Sequence, residues 1–147
     1  MNSQSVLISW IPWAGKILSL QVHPLTEYIQ NTFGMHYTQD ESYYILDCDE
    51  DAVVYLGLKE GVDKEEMLAA LHEAQDKGTT FDAERYVNCW PAKKHDHFLI
   101  PAGTIHCSGK NSMVSGSKRD AIYLPSSFGT GDVRLRRTSA SCAFKAW

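Results

Sequence analysis

The sequence has no run of about 18 apolar residues, the length a membrane-crossing helix requires, so no helical span is expected. It has no C-x-x-C pair. Cys48, Cys89, Cys107 and Cys142 are scattered, a pattern that reads as buried or free thiols in a reducing compartment. No basic residue precedes Lys16, and Pro12 interrupts the apolar N-terminal stretch, so no secretory signal is expected. A cytoplasmic location follows. Internal repeats are also absent.

What is present fits one modest globular core: 147 residues, of which 44% are hydrophobic. The net charge of −4 hides a split. Residues 18–114 carry seven Lys/Arg against sixteen Asp/Glu, hence −9, whereas residues 115–147 carry six against two, hence +4. Such an asymmetry often marks a nucleic-acid-binding tail, and that reading competes with another developed below.

Leu18 to His23 alternates and meets Pro24, as a strand entering a loop does. Thr26 to Phe33 suits one or two helical turns closed by Gly34. Tyr43 to Asp47 and Ala52 to Leu58 are rich in β-formers and flank the polar Asp49-Glu50-Asp51, which suggests an antiparallel hairpin. The clearest helix covers 63–77. Asp63 can cap it with Glu66 three residues on, Met67, Leu71 and Ala74 line one face, and Gly78 stops it. Asp82 to Val87 suits a second short helix. His97 to Ile100 is an expected strand, Pro101-Ala102-Gly103 a turn, and Thr104 to His106 the next strand. Strands dominate around a helical insertion, which points to a small barrel or sandwich.

Two features suggest a metal. In Gln21-Val22-His23, a strand would face both polar side chains to one point. In Pro101 to His106, a tight turn would return the chain and aim His106 inward. Imidazole and carboxamide or carboxylate oxygen suit zinc and similar divalent ions. Each feature alone is a weak signal. Glu27, four residues after His23, is one candidate acidic ligand and Glu41 another. His95-Asp96-His97 has the look of a metal pair but reads as a solvated loop, with Lys93-Lys94 as surface charge. His36 and His72 have no partner at metal spacing.

The spacing Gly15-x5-Gln21-x-His23 with a later Pro101-x-Gly103-x-x-His106 is similar to the two cupin motifs, with Gln in place of the first His. Gln21-Val22-His23-Pro24, Glu41-Ser42-Tyr43-Tyr44-Ile45-Leu46, Tyr55 to Gly61, and Ile100 to His106 followed by Gly109-Lys110 together resemble type I phosphomannose isomerases. The resemblance implies a mainly β fold. It would be a cupin-type (jelly-roll) barrel, incomplete at its edges, with 63–77 as a helical insertion. It implies zinc held by Gln21, His23, Glu41 and His106, with Glu41 preferred over Glu27 because isomerases of this type use the later residue. It also implies interconversion of mannose 6-phosphate and fructose 6-phosphate, a proton moving between C1 and C2 through an enediol. A small sugar phosphate is then the partner, and neither nucleic acid nor membrane is expected.

The chain departs from that pattern in two places. Thr38-Gln39-Asp40 stands where a lysine precedes the metal glutamate, and the later arginine block (W-D-W-G-R or Y-D-Y-x-R) is missing. No proton-transfer base can be named. Lys110 is a candidate cation only by its nearness to His106. A non-catalytic zinc cupin that binds a sugar or regulates therefore remains a second reading.

The flanks suggest a cause. Ser115 to Leu124, read from the second base of permitted codons, can spell L-E-V-S-A-T-P-Y-I-F. Ser127 to Val133 from the third base can spell L-W-D-W-G-R, and Arg136 to Trp147 from the second can spell D-G-L-P-R-P-V-H-L-K-H. Ser5 to Gly15 from the third base can spell R-F-D-F-L-D-T-M-G-G. These are the strings that the resemblance expects there. The expected organisation is thus an out-of-frame flank at 1–17, a metal-binding core at 18–114, and an out-of-frame, irregular tail at 115–147 whose basic character is incidental to nucleic acid.

Overall fold

The computed structural model describes residues 4–11, 20–34, 36, 38, 40–78, 81–119 and 127–129. In chain order these form β1 (Gln4–Ile11), β2 (Leu20–Gln21), α1 (Thr26–Phe33), β3 (Glu41–Cys48), β4 (Val53–Leu58), α2 (Lys64–Lys77), α3 (Ala83–Tyr86), β5 (Val87–Pro91), β6 (His97–Ile100), β7 (His106–Ser108), β8 (Ser112–Arg119) and β9 (Ser127–Gly129). The strands make two antiparallel sheets, ordered β1-β8-β3-β6 and β5-β4-β7-β2-β9. The fold is mainly β, as expected, but the described strands close no barrel.

The expected hairpin of residues 43–47 and 52–58 does not form. β3 lies in one sheet and β4 in the other, and the acidic stretch between them crosses from sheet to sheet. Burial explains this. Tyr43 and Ile45 on β3 and Val54 on β4 all join one core with Ala52, Ala92, Ile100 and Val114. Pairing β3 to β4 edge to edge would put these side chains on one surface rather than across a shared interior.

The neighbouring residue on β4, Tyr55, points the other way into a second core. There Leu20, Val22, Val87, Ile105 and Cys107 meet Met67 and Leu71 of α2 and Tyr86 of α3. The helical insertion thus covers the outer face of the second sheet. α2 starts where expected: Asp63 accepts hydrogen bonds from Glu65 N at 2.8 Å and Glu66 N at 3.3 Å, and Gly78 ends the helix at φ 65°. Glu66 is drawn to Arg85 instead of closing a reciprocal capping box.

Two further expectations are corrected. The strand expected at Thr104 to His106 starts only at His106, because Thr104 closes a turn through its N–H to the Pro101 carbonyl at 3.1 Å. Regular structure also does not stop at Val114. β8 continues to Arg119 between β1 and β3, and β9 follows at Ser127–Gly129. A ladder is built from backbone groups, so Ser115 to Arg119, free of proline, can extend it whatever their side chains were selected for. The remainder of the expected irregular tail, with Arg134 and Arg136, lies outside the described residues, as do Gly15 and Lys16.

No helix among the described residues is long and apolar enough to cross a membrane.

Candidate metal centre

The alternation that sends Cys107 into the helix-covered core sends His106 the opposite way, toward the first sheet. Gln21 is paired directly with His106 across β2 and β7, so it shares that face. His23 follows two residues later. From the first sheet, Glu41 opens β3 on the same inward face as Tyr43 and Ile45. Four polar side chains, three from one sheet and one from the other, therefore meet between the layers.

Their atoms converge. His23 Nε2 lies 2.9 Å from Glu41 Oε2 and His106 Nε2 lies 3.3 Å from the same oxygen. Gln21 Nε2 is 3.2 Å from His106 Nε2 and 3.5 Å from Glu41 Oε2. The ligand atoms of His23, Glu41 and His106 all lie within 4.8 Å of one another. Glu41 is 6% exposed and His106 fully buried.

His106 is held by a partner outside the cluster. Its Nδ1 lies 2.8 Å from the Thr104 carbonyl, an oxygen that can only accept, so Nδ1 donates there and Nε2 is the ring atom turned toward the cluster. Nε2 faces a Glu41 oxygen at 3.3 Å, an acceptor that suits either a proton on the ring or a cation between the two atoms. Ligand atoms about 2.0–2.2 Å from a tetrahedral ion sit roughly 3.3–3.6 Å apart, close to the spacings seen here. The donor set of imidazole, carboxylate and carboxamide fits a borderline divalent metal. A half-turn of the Gln21 amide would bring its Oε1 to the same point.

Tyr43 borders the cluster, its ring edge-on to His106 with centroids 5.9 Å apart. Burial, and then the nearby Glu41 charge, push its hydroxyl pKa well above the ordinary tyrosine value, so it stays neutral.

The other sequence candidates lie elsewhere. Glu27 is exposed in the first turn of α1. Lys110 sits in the bend that follows β7 and pairs with Asp51 at 2.9 Å. His95 and His97 flank Tyr44 on the surface, where the Tyr44 hydroxyl meets His95 Nδ1 at 2.8 Å. Lys94 pairs with Asp47, while Lys93, His36 and His72 are exposed. Sequence reasoning passed over Thr104, which acts through a carbonyl that every residue has. It also passed over Asp40, whose Oδ1 accepts from Ala102 N at 3.1 Å. An acidic residue facing a turn after a proline was the available signal.

No protein-family model matches the chain. Mannose-6-phosphate isomerase ManA of Bacillus subtilis (strain 168) is 30% identical over 115 residues, which cover 78% of this chain and 34% of the relative. Mannose-6-phosphate isomerase of Streptococcus mutans is 29% identical over 133 residues, covering 89% and 39%. The chain therefore spans about a third of the length of the curated relatives it matches. Among solved structures, mannose 6-phosphate isomerase from Bacillus subtilis superposes with a TM-score of 0.70 at 18% identity, over 99% of this chain and 44% of that one. A putative mannosephosphate isomerase from Archaeoglobus fulgidus gives 0.62 at 20% identity, over 84% and 37%. Relatives in sequence and neighbours in fold agree: the chain is a type I phosphomannose isomerase-like cupin.

Proposed function

We propose that the chain is the metal-holding part of a zinc-dependent aldose–ketose isomerase that interconverts mannose 6-phosphate and fructose 6-phosphate in the cytoplasm. The observation that carries this reading is the meeting of His23, His106 and Glu41 on one point between two sheets, in a chain related to mannose-6-phosphate isomerases. Gln21, His23, Glu41 and His106 would hold the ion. When bound, zinc supplies a Lewis acid for the charge that develops on the sugar oxygens as the proton moves between C1 and C2. Glu41 contributes the negative charge of the ligand set. Thr104 keeps His106 in the ligating tautomer. Tyr43, neutral and buried, lines the wall and excludes water.

The base and the phosphate-binding cations are not among these residues, and Lys110 is committed to Asp51. We attribute the gap to the flanks: residues 1–17 and 115–147 are read as out-of-frame text, and the arginine block is recoverable only in another frame. That gap also favours the second reading, a zinc cupin that binds a sugar without turning it over.

Metal analysis of the purified chain tests the site. One zinc per chain is expected, and its loss in His106→Ala; a native chain that binds no zinc defeats the proposal. A coupled assay with mannose 6-phosphate then separates the readings. Turnover supports the isomerase, whereas zinc and sugar binding without turnover supports the module. The nucleotide sequence with its flanks checks the frame reading: it fails if the alternative frames are closed by stop codons.

A further inference from the structure

The turn Pro101–Thr104 reaches three of the four candidate ligand positions. Gly103 N donates to the His23 carbonyl at 2.6 Å, and the Thr104 carbonyl accepts from His106 Nδ1 at 2.8 Å. Ala102 N donates to Asp40 Oδ1 at 3.1 Å, and Asp40 immediately precedes Glu41. The first two contacts need the main chain or a ligand itself. Asp40 supplies a side chain that can be changed while leaving every ligand in place.

Its position has a physical reason. β3 and β6 pair from Tyr44↔His97 to Glu41↔Ile100. The next pair along the ladder would be Asp40 with Pro101, and proline has no N–H to give. The ladder ends at the residue that carries the candidate acid. β3 and β7 lie in different sheets, so no ladder between them sets the spacing of Glu41 from His106. The Asp40 carboxylate reaches one residue further, to Ala102 N, and continues with a side chain what the backbone cannot.

We propose that Asp40 is a positioning residue of the metal centre: by tying the turn that leads into His106 to the start of β3, it fixes the separation between ligands from the two sheets. The inference rests on the metal reading above. It concerns a residue of the Thr38-Gln39-Asp40 run, where this chain departs from the lysine that the resemblance implies. Pre-organised ligands lose less freedom when the ion binds, so the tether acts on affinity.

The test uses the full chain with Asp40→Ala and Asp40→Asn. Zinc affinity is measured by competition with a chromophoric chelator, ligand geometry by the visible spectrum of bound Co²⁺, and fold by thermal unfolding of the metal-free proteins. Asp40→Ala is expected to weaken zinc binding about tenfold, the low end for residues that support ligands because this carboxylate is exposed. It should also alter the Co²⁺ bands and leave the metal-free midpoint unchanged. Asp40→Asn keeps an acceptor oxygen and should restore both affinity and spectrum. Equal affinity in native and Asp40→Ala proteins overturns the inference alone. So does an Asn variant as weak as the Ala variant, since charge rather than the tether would then act. An affinity loss matched by a lower metal-free midpoint also overturns it. A native chain that binds neither ion removes the metal reading and this inference together.

Discussion

Replacing Glu41 by Gln distinguishes a site built for an ion from a buried ion pair that merely holds the sheets together. The substitution keeps size and shape and removes one charge. Glu41 Oε2 is the shared neighbour of His23 at 2.9 Å, His106 at 3.3 Å and Gln21 at 3.5 Å. If the carboxylate were structural, paired to a protonated histidine, losing it would cost about 3–5 kcal/mol. For a chain of this length that lowers the midpoint by roughly 6–20 °C. If the carboxylate is there for a cation, the metal-free protein gains from losing a buried charge beside a lone pair, and its midpoint holds or rises. Zinc at about 1,000 times its Kd stabilises the native chain by roughly 4 kcal/mol, a rise of about 8–16 °C. Four ligands sharing about 10–16 kcal/mol carry roughly 2.5–4 kcal/mol each, a loss on the order of 100-fold when one is removed. At the same zinc concentration the variant would then gain only about 1.4 kcal/mol, or roughly 3–6 °C. Thermal unfolding of both proteins with chelator and with zinc reads all four values. A metal-free variant melting well below the native chain, with the zinc-induced rise intact, would refute the reasoning.

Three further outcomes follow from the packing. Met67→Ala removes a side chain 1% exposed from the core between α2 and the second sheet, and should cost about 2–5 kcal/mol in denaturant unfolding without changing zinc stoichiometry. Gly103→Ala forces alanine to φ +83° and brings its Cβ to 2.8 Å from Leu25 Cδ2. It should destabilise by about 1–2 kcal/mol and weaken zinc binding through the displaced turn; unchanged affinity would mean that the turn does not set the ligands. Lys110→Ala should leave zinc binding intact and touch stability only on the neutral side. Lys110 and then Asn111 hold the Asp51 carboxyl below the ordinary aspartate pKa, so their stabilisation is present above about pH 4 and is lost as pH falls through the lowered value. The native and variant unfolding curves should differ slightly at neutral pH and coincide in acid, and a loss of zinc would return Lys110 to the site.

Much of this arrangement was legible because it depends on local periodicity. The residues of α2 announce their cap, buried face and stop within one segment, and the observed helix begins one residue after Asp63. Gln21 and His23 share a face through strand alternation alone. The choice of Glu41 over Glu27 needed the resemblance, since both are single acids after a His, and only Glu41 lies beside His23 in the fold. What was illegible concerns pairing. A polar turn between two β-rich runs reads as a hairpin, yet which sheet each run joins depends on where both faces find a partner, and no window of residues contains that information. The start of β7 was misjudged for a similar reason: Thr104 favours strands, but its N–H closes a turn on the Pro101 carbonyl.

The distribution of the four side chains over the chain bears on the order of events in folding. Gln21 and His106 are 85 residues apart, and Glu41 and His106 are 65 apart, in two sheets that must dock before the atoms meet. Closing such long loops comes late, after local helices and neighbouring strands have formed. Contacts absent from the transition state act on the unfolding rate and leave the folding rate nearly untouched. An ion bound at this point would therefore be a brake on unfolding rather than a nucleus for folding. The metal-loaded chain would refold no faster than the metal-free one, yet persist far longer once folded.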